Sequence, residues 1–209
     1  MSKWMLIAGL SVVGAATPVA GQATLQSLAR APRRLPNAVV AEGKLSFDGR
    51  ANVGNFTGTT TSVRGELAGG EDITLVRGWV EAPVSTLVTG NGKRDRDLNR
   101  SMESDRYPTI RFELSGVTPK AESGDTTQVD LQGRFLIHGI DRAVTIPAVV
   151  VLAGDVIRLR ADTPLNLKDY RIGGLSKAFG VLRMYQDILV HIDVTFAPGT
   201  AGSTAQAKS

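Results

Sequence analysis

The sequence predicts an all-β protein: a single eight-stranded antiparallel β-barrel with short loop or helical insertions. Apolar and polar residues alternate through most of the chain between Val40 and Phe196, as expected for strands that bury one face. The alternating segments are long enough to be full strands, and short turn sequences join them. No long stretch with helical periodicity lies between them, which argues against crossover helices and a parallel sheet.

Each predicted strand follows from this alternation. In the clearest example Val129, Leu131 and Phe135 share one face, while Asp130 and Arg134 share the other. Turn signals separate several of the segments, namely Gly69-Gly70, Ser123-Gly124-Asp125, Gly139-Ile140-Asp141 and Gly154-Asp155. In chain order the eight predicted strands are 40–50, 55–68, 73–84, 109–118, 127–138, 143–153, 156–167 and 186–197. Strands of this kind suit a closed barrel, because closure leaves no sheet edge exposed.

The predicted interior leaves two alternatives open. An eight-stranded barrel is either filled by side chains or holds one slender ligand. Many inward positions are small or slim, such as Gly78 and Gly133, and aromatic residues make up only 5% of the chain. This composition fits a narrow filled core as well as an elongated apolar cavity. For a cavity, the predicted lining is Val76, Val80, Ile110, Phe112, Leu131, Phe135, Ile146, Leu159, Phe179, Val190 and Ile192.

Composition excludes several kinds of chemistry. The 209 residues include no cysteine and two histidines, His138 and His191, so disulfides, thiolate metal sites and a cysteine nucleophile are excluded. Both histidines are predicted on polar outer strand faces, without a second ligand at metal spacing. We therefore expect no metal, no cofactor and no catalytic residue. The net charge of +4 is too small to indicate nucleic-acid binding.

The two ends of the chain differ from the strand-rich part. Residues 1–23 have the basic start, apolar run and small residues of a bacterial export signal, which predicts a periplasmic or secreted protein. Residues 24–38 are predicted to be a flexible basic linker whose three arginines are solvated or lie near a membrane surface. Residues 39–198 form the predicted barrel domain, and 199–209 a disordered tail. The sequence does not indicate an oligomeric state.

Two loops interrupt the strand pattern. Residues 93–106 contain five basic and four acidic residues, so the loop is nearly neutral. Arg94 and Asp95, with Asn91 before them, are predicted either to contact the polar end of a ligand or to fix the loop. Neighbouring arginines would keep Asp95 and Asp97 ionised, and no nucleophile accompanies them, which argues against acid–base catalysis. Residues 173–182, with Phe179, are predicted to form either a lid over one barrel end or an ordinary capping loop.

Four short motifs occur in a characteristic order. Thr89-Gly90-Asn91 precedes Arg94-Asp95, and Tyr107-Pro108 opens a strand; farther on, the Gly139 turn is followed by Arg142, and Asp169-Tyr170 comes near the end. In this order and spacing they resemble the YceI-like family of lipid-binding proteins, from about Leu45 to Phe196. The resemblance implies a lipocalin-like barrel exported to the periplasm. It also implies an apolar cavity for an isoprenoid chain, such as a polyprenyl phosphate or a quinone tail.

The resulting hypothesis is a non-catalytic exported protein that holds an apolar, isoprenoid ligand in a barrel cavity. The alternative hypothesis is an extracytoplasmic stress-response or interaction module with a filled barrel that works through its outer surface. The two hypotheses differ in what they require of the barrel interior.

Overall fold

The barrel closes through its first and last long strands. The computed structural model describes residues 34–52, 54–173, 176–177 and 182–199; the predicted export signal, Phe179 and nearly all of the predicted tail lie outside these residues. The strands are β1 (Ala38–Ala51), β2 (Gly54–Thr60), β3 (Arg64–Ala68), β4 (Arg77–Pro83), β5 (Thr109–Ser123), β6 (Thr126–Ile137), β7 (Ile140–Ala153), β8 (Val156–Asn166), β9 (Ser176–Lys177), β10 (Leu182–Arg183) and β11 (Asp187–Pro198). One α-helix, α1 (Gly92–Ser101), and three short 3₁₀ helices (Ile73–Leu75, Val84–Thr86, Leu167–Tyr170) complete the described elements.

All ladders in the barrel are antiparallel. The order around it is β1-β3-β4-β5-β6-β7-β8-β11, and β11 returns to β1 from Ala38↔Pro198 to Asp48↔Leu189. The predicted closed eight-stranded antiparallel barrel is thus confirmed. The two shortest strands, β9 and β10, pair only with each other.

The second predicted strand is wrong in one respect, because 55–68 is broken into β2 and β3. Residues 61–63 leave the ladder: the backbone N–H of Ser62 donates to Oγ1 of Thr60 at 3.0 Å, and that hydroxyl also bonds Thr86 at 2.7 Å. Local side-chain bonds of this kind compete with strand pairing. Both halves still lie along the same edge of β1, which keeps the barrel count at eight.

Helix α1 lies in the long connection between β4 and β5. Asn91 begins it, because its Oδ1 accepts hydrogen bonds from the backbone N–H groups of Lys93 and Arg94, both at 3.1 Å. Asp95 in the first turn and Arg100 in the last complement the helix dipole. The chain leaves the barrel wall at Pro83 and rejoins it at Thr109. Because Pro83 and Thr109 pair with each other, the helix lies at the end of the barrel where these two strands meet.

Most of the large side chains that are fully buried lie toward one end of the barrel. Four of its most deeply buried side chains are Phe196, Val194, Val129 and Ile146. Each contributes about 1.5–3 kcal/mol through removal from water. These residues share the inward face of β11, β6 and β7, as the alternation predicts. The opposite end is less densely filled, and the candidate site lies there.

His138 corrects one expectation from the sequence. The prediction placed it on the outer face of a strand, but β6 ends at Ile137 and His138 has a φ of 51°. This left-handed conformation takes the side chain out of the strand alternation, and the residue is only 8% exposed. His191, in contrast, lies on the outer face beside exposed carboxylates, as predicted.

Candidate ligand-binding site

The less densely filled end of the barrel contains a cavity of about 340 Å³, hereafter the large chamber. Its wall is formed by strands β1, β2, β5, β6, β8 and β11 and by one face of α1. Among its described lining residues, the polar ones are Ser46, Asn55, Arg94, Asp97 and Ser101; the others are apolar. An apolar chamber of this kind favours a hydrocarbon ligand, because binding removes apolar surface from water at both partners.

A second cavity of about 70 Å³, the small chamber, lies deeper in the barrel. Leu45, Ile110 and Phe135 line both chambers and so form the boundary between them. Phe112, on the small-chamber side, packs against Phe135 with ring centroids 5.2 Å apart. The barrel interior is therefore a wide outer space and a narrow inner one, which meet at Leu45, Ile110 and Phe135.

Glycines opposite aromatic residues create this arrangement. A Cβ on Gly133 would lie 2.5 Å from the ring of Phe112, and one on Gly58 would lie 2.2 Å from the ring of Phe47. The absence of a side chain at these positions lets the rings lie against the barrel wall. Gly133, one of the slim inward residues noted in the sequence, thus accommodates a large neighbour.

The predicted cavity residues separate into groups. Ile110 and Phe135 line both chambers, and Val190 lines the large one. Val76 is buried in the core but borders neither chamber, and Phe179 lies outside the described residues. The small chamber is bordered by Val80, Phe112, Leu131, Ile146, Leu159 and Ile192.

Sequence reasoning missed most of the large chamber's wall. Leu98 approaches from α1 and Met102 from directly after it, Phe47 and Phe56 from the β1–β2 hairpin, and Met184 from the segment before β11. The sequence does contain a pattern that predicts this helical face. Residues at the i, i+3, i+4, i+7 and i+8 positions of one face are Arg94, Asp97, Leu98, Ser101 and Met102. Only two of these are apolar, which made the face inconspicuous.

Arg94 is a polar residue of the large chamber that is held in place by an aromatic ring and a hydroxyl. Its guanidinium carbon lies 4.4 Å from the centre of the Phe56 ring, and its Nε donates to Oγ1 of Thr89 at 2.9 Å. Asp95 accepts from the backbone N–H and the hydroxyl of Thr89, at 2.9 and 2.6 Å. Asn91 caps the helix. Asp95 and Asn91 therefore hold the loop, and Arg94 borders the chamber.

The other sequence motifs meet behind the chamber. The ring of Tyr107 packs on His138 at 4.7 Å, and a Cβ on Gly139 would lie 2.4 Å from that tyrosine ring. Nδ1 of His138 donates to the backbone oxygen of Tyr170 at 2.9 Å. Arg142 pairs with Asp169 at 3.4 Å. These contacts join the segment after α1, the β6–β7 turn and the segment after β8.

The sequence profile of the YceI-like domain matches residues 37–196. The chain belongs to the YceI-like family. Its match covers the barrel up to Phe196 near the end of β11, together with both chambers and the cluster of motif residues. No curated protein matches this YceI-like chain in sequence.

Solved structures share the fold of this YceI-like protein. BcnA from Burkholderia cenocepacia is 14% identical, with a TM-score of 0.61 over 73% of this chain and 95% of BcnA. A polyisoprenoid-binding domain from Saccharophagus degradans, implicated in plant cell wall breakdown, is 12% identical, with a TM-score of 0.63 over 79% of this chain and 99% of that domain. At these identities the likeness establishes the barrel fold.

The charged groups of this YceI-like protein lie mainly outside the chambers. His191 bonds Asp162 at 2.5 Å and Asp48 at 3.2 Å; both contacts favour the imidazolium form and raise the pKa of His191. Within the described residues, no group of three His, Asp or Glu side chains is placed to hold a metal ion. No helix in the described part of the chain is long and apolar enough to span a membrane.

Proposed function

We propose that this YceI-like protein is a non-catalytic binding protein that encloses an apolar, isoprenoid ligand in the large chamber. The observation that carries the proposal is the apolar space of about 340 Å³ inside the closed barrel. Its volume lies at the lower end of the range for small-molecule sites, about 300–1,000 Å³. The filled-barrel alternative requires no such space, so the chamber favours the binding function.

The lining supports binding without covalent chemistry. Each methylene-sized group moved from water into such a chamber contributes about 0.8 kcal/mol, so a short hydrocarbon chain binds without an elaborate polar site. The Saccharophagus degradans domain, similar in fold, is described as polyisoprenoid-binding. Family and fold together support an isoprenoid as the ligand.

Arg94 is our candidate for contact with the ligand's polar end. It borders the chamber, and its packing on Phe56 holds the guanidinium in one place. A guanidinium matches the geometry of a phosphate and also donates to a quinone carbonyl. Both polyprenyl phosphates and quinones therefore fit this position. Asn91 and Asp95 act indirectly, by fixing the loop that carries Arg94.

The test of ligand identity is native mass spectrometry, with lipid extraction, of the protein purified from its own host. We expect a bound prenyl lipid. Protein that is ligand-free, folded and unable to take up added prenyl lipids would overturn the proposal.

Export is a separate part of the proposal. We propose that residues 1–23 direct the chain to the periplasm and are removed, with Gly21-Gln22-Ala23 at the preferred cleavage point. N-terminal sequencing of the mature protein tests this. A mature protein that retains Met1 would contradict it.

A further inference from the structure

The division of the barrel interior points to a limit on the ligand's length. Leu45, Ile110 and Phe135 border both chambers, and the space falls from about 340 Å³ on one side to about 70 Å³ on the other. Phe135 is 7% exposed and packs against Phe112 at 5.2 Å. A ligand that enters from the Arg94 end therefore meets a floor of large side chains.

Both rings of this floor are held in place. Phe112 and Phe135 are direct cross-strand neighbours on β5 and β6. Phe112 also lies over Gly133, and the ring fits there because glycine has no side chain. Packing holds both rings in place. The floor therefore behaves as a fixed part of the barrel interior, and its side chains do not swing aside.

The depth of the large chamber gives one estimate of ligand length. On β1 its lining runs from Ala51 to Leu45, which at about 3.3 Å per residue is about 20 Å along the strand. A strand tilt of about 40° reduces this to about 15 Å along the barrel axis. An extended chain advances about 3.5 Å for every three bonds, so a four-bond isoprene unit takes about 4.6 Å. The chamber is about three units deep.

Its volume gives a second estimate. A water molecule occupies about 30 Å³ in the liquid, and a methylene-sized group needs a similar space. The chamber of about 340 Å³ then holds roughly 11 such groups, or about two five-carbon isoprene units. The two estimates agree on two to three units.

We propose that the large chamber accepts a prenyl segment of two to three isoprene units, and that Phe135, supported by Phe112, sets this limit. The inference rests on the proposed function and specifies it further. A ligand with a longer chain leaves the excess outside the chamber, where additional units add little affinity.

The experiment measures the dissociation constants of prenol, geraniol, farnesol and geranylgeraniol, which differ by one isoprene unit each, by displacement of a fluorescent fatty-acid probe. For the wild-type protein we expect affinity to rise at least tenfold from prenol to geraniol, because each buried methylene adds about fourfold, and to rise further with the part of the third unit that farnesol places inside the chamber. Geranylgeraniol should bind within about threefold of farnesol.

Two substitutions should move the limit in opposite directions. Phe135→Ala joins the two chambers, so geranylgeraniol should bind at least tenfold more tightly than farnesol. If this variant does not fold, Phe135→Leu should show a smaller gain in affinity for geranylgeraniol over farnesol. Val190→Phe fills part of the large chamber and should make geraniol the longest alcohol that gains affinity. Leu136→Ala changes the next residue on β6, which is 40% exposed, and should behave as wild type.

The outcomes separate this inference from the proposed function. Wild-type affinity that keeps rising tenfold through geranylgeraniol, with Phe135→Ala unchanged from it, would overturn the length limit alone. A folded wild-type protein that binds none of the four alcohols would overturn the proposed function and the length limit with it.

Discussion

Gly133 provides a stringent test of how the barrel interior is built. A Cβ at this position would lie 2.3 Å from the backbone oxygen of Glu113 and 2.5 Å from the ring of Phe112. Both distances are far below van der Waals contact, and the nearer atom belongs to the backbone of a paired strand, which cannot rotate away. Gly133→Ala must therefore displace β5 or force the phenylalanine ring inward.

The size of the effect follows from these contacts. Overpacking a core typically costs about 1–3 kcal/mol, and a clash with backbone belongs at the upper end, about 2–3 kcal/mol. With a urea dependence of about 1–3 kcal/mol per molar, we expect the unfolding midpoint to fall by about 0.7–3 M. Equilibrium urea unfolding, followed by circular dichroism, measures this.

Gly92→Ala is the matched control for the same chemical change. The nearest atom to a Cβ at Gly92 is the end of the Arg96 side chain at 3.7 Å, and the residue begins α1. Alanine there should leave the free energy of unfolding unchanged or raise it by up to about 1 kcal/mol. If the free energy of unfolding of Gly133→Ala stays within about 0.5 kcal/mol of the wild-type value, the Phe112 ring does not require a glycine at this position.

Three further predictions concern the cap, the outer face and the ligand's polar end. Asn91→Ala should lower the free energy of unfolding by about 1 kcal/mol through loss of the helix cap, while Asn91→Asp should retain most of it; urea unfolding of both variants checks this. Because the pKa of His191 is raised in the folded state, its contribution to the free energy of unfolding is complete below its unfolded pKa and is lost as pH rises through its folded pKa. The difference in free energy of unfolding between wild type and His191→Gln should therefore shrink between pH 5.5 and 8.5. A difference that stays constant over this range would contradict the ion pairs assigned to His191. Arg94→Ala should weaken binding of farnesyl phosphate about tenfold or more and change farnesol binding less than threefold; equal losses for both ligands in a titration would remove Arg94 from the polar contact.

The barrel was predictable because alternation is a local property of each strand. The segment around Val129 reads correctly from sequence, since burying one face of a strand requires apolar residues at every second position. The break between β2 and β3 was not predictable in this way. It depends on a hydrogen bond between Thr60 and Thr86, which are far apart in sequence.

The candidate site was only partly predictable, for the same reason. Strand alternation shows which residues point inward, but not whether they leave space or fill it. The floor at Phe135 depends on which residues face each other across β5 and β6, and this register comes from the folded barrel. The contribution of Leu98 and Met102 depends on where α1 rests against the barrel. His138 was misplaced because a turn residue does not continue the alternation of the strand before it.

Helix α1 forms part of the chamber wall, yet it belongs to no strand ladder. Substitutions at Leu98 on its chamber-facing side, and at Met102 directly after it, alter the shape of the binding space without altering the packing between paired strands of the barrel. Substitutions at inward positions of the strands also change the packing between neighbouring strands. Ligand preference in such a protein can therefore diversify by sequence changes in one short helix while the barrel remains constant, and comparison of binding proteins with this fold should begin at that helix.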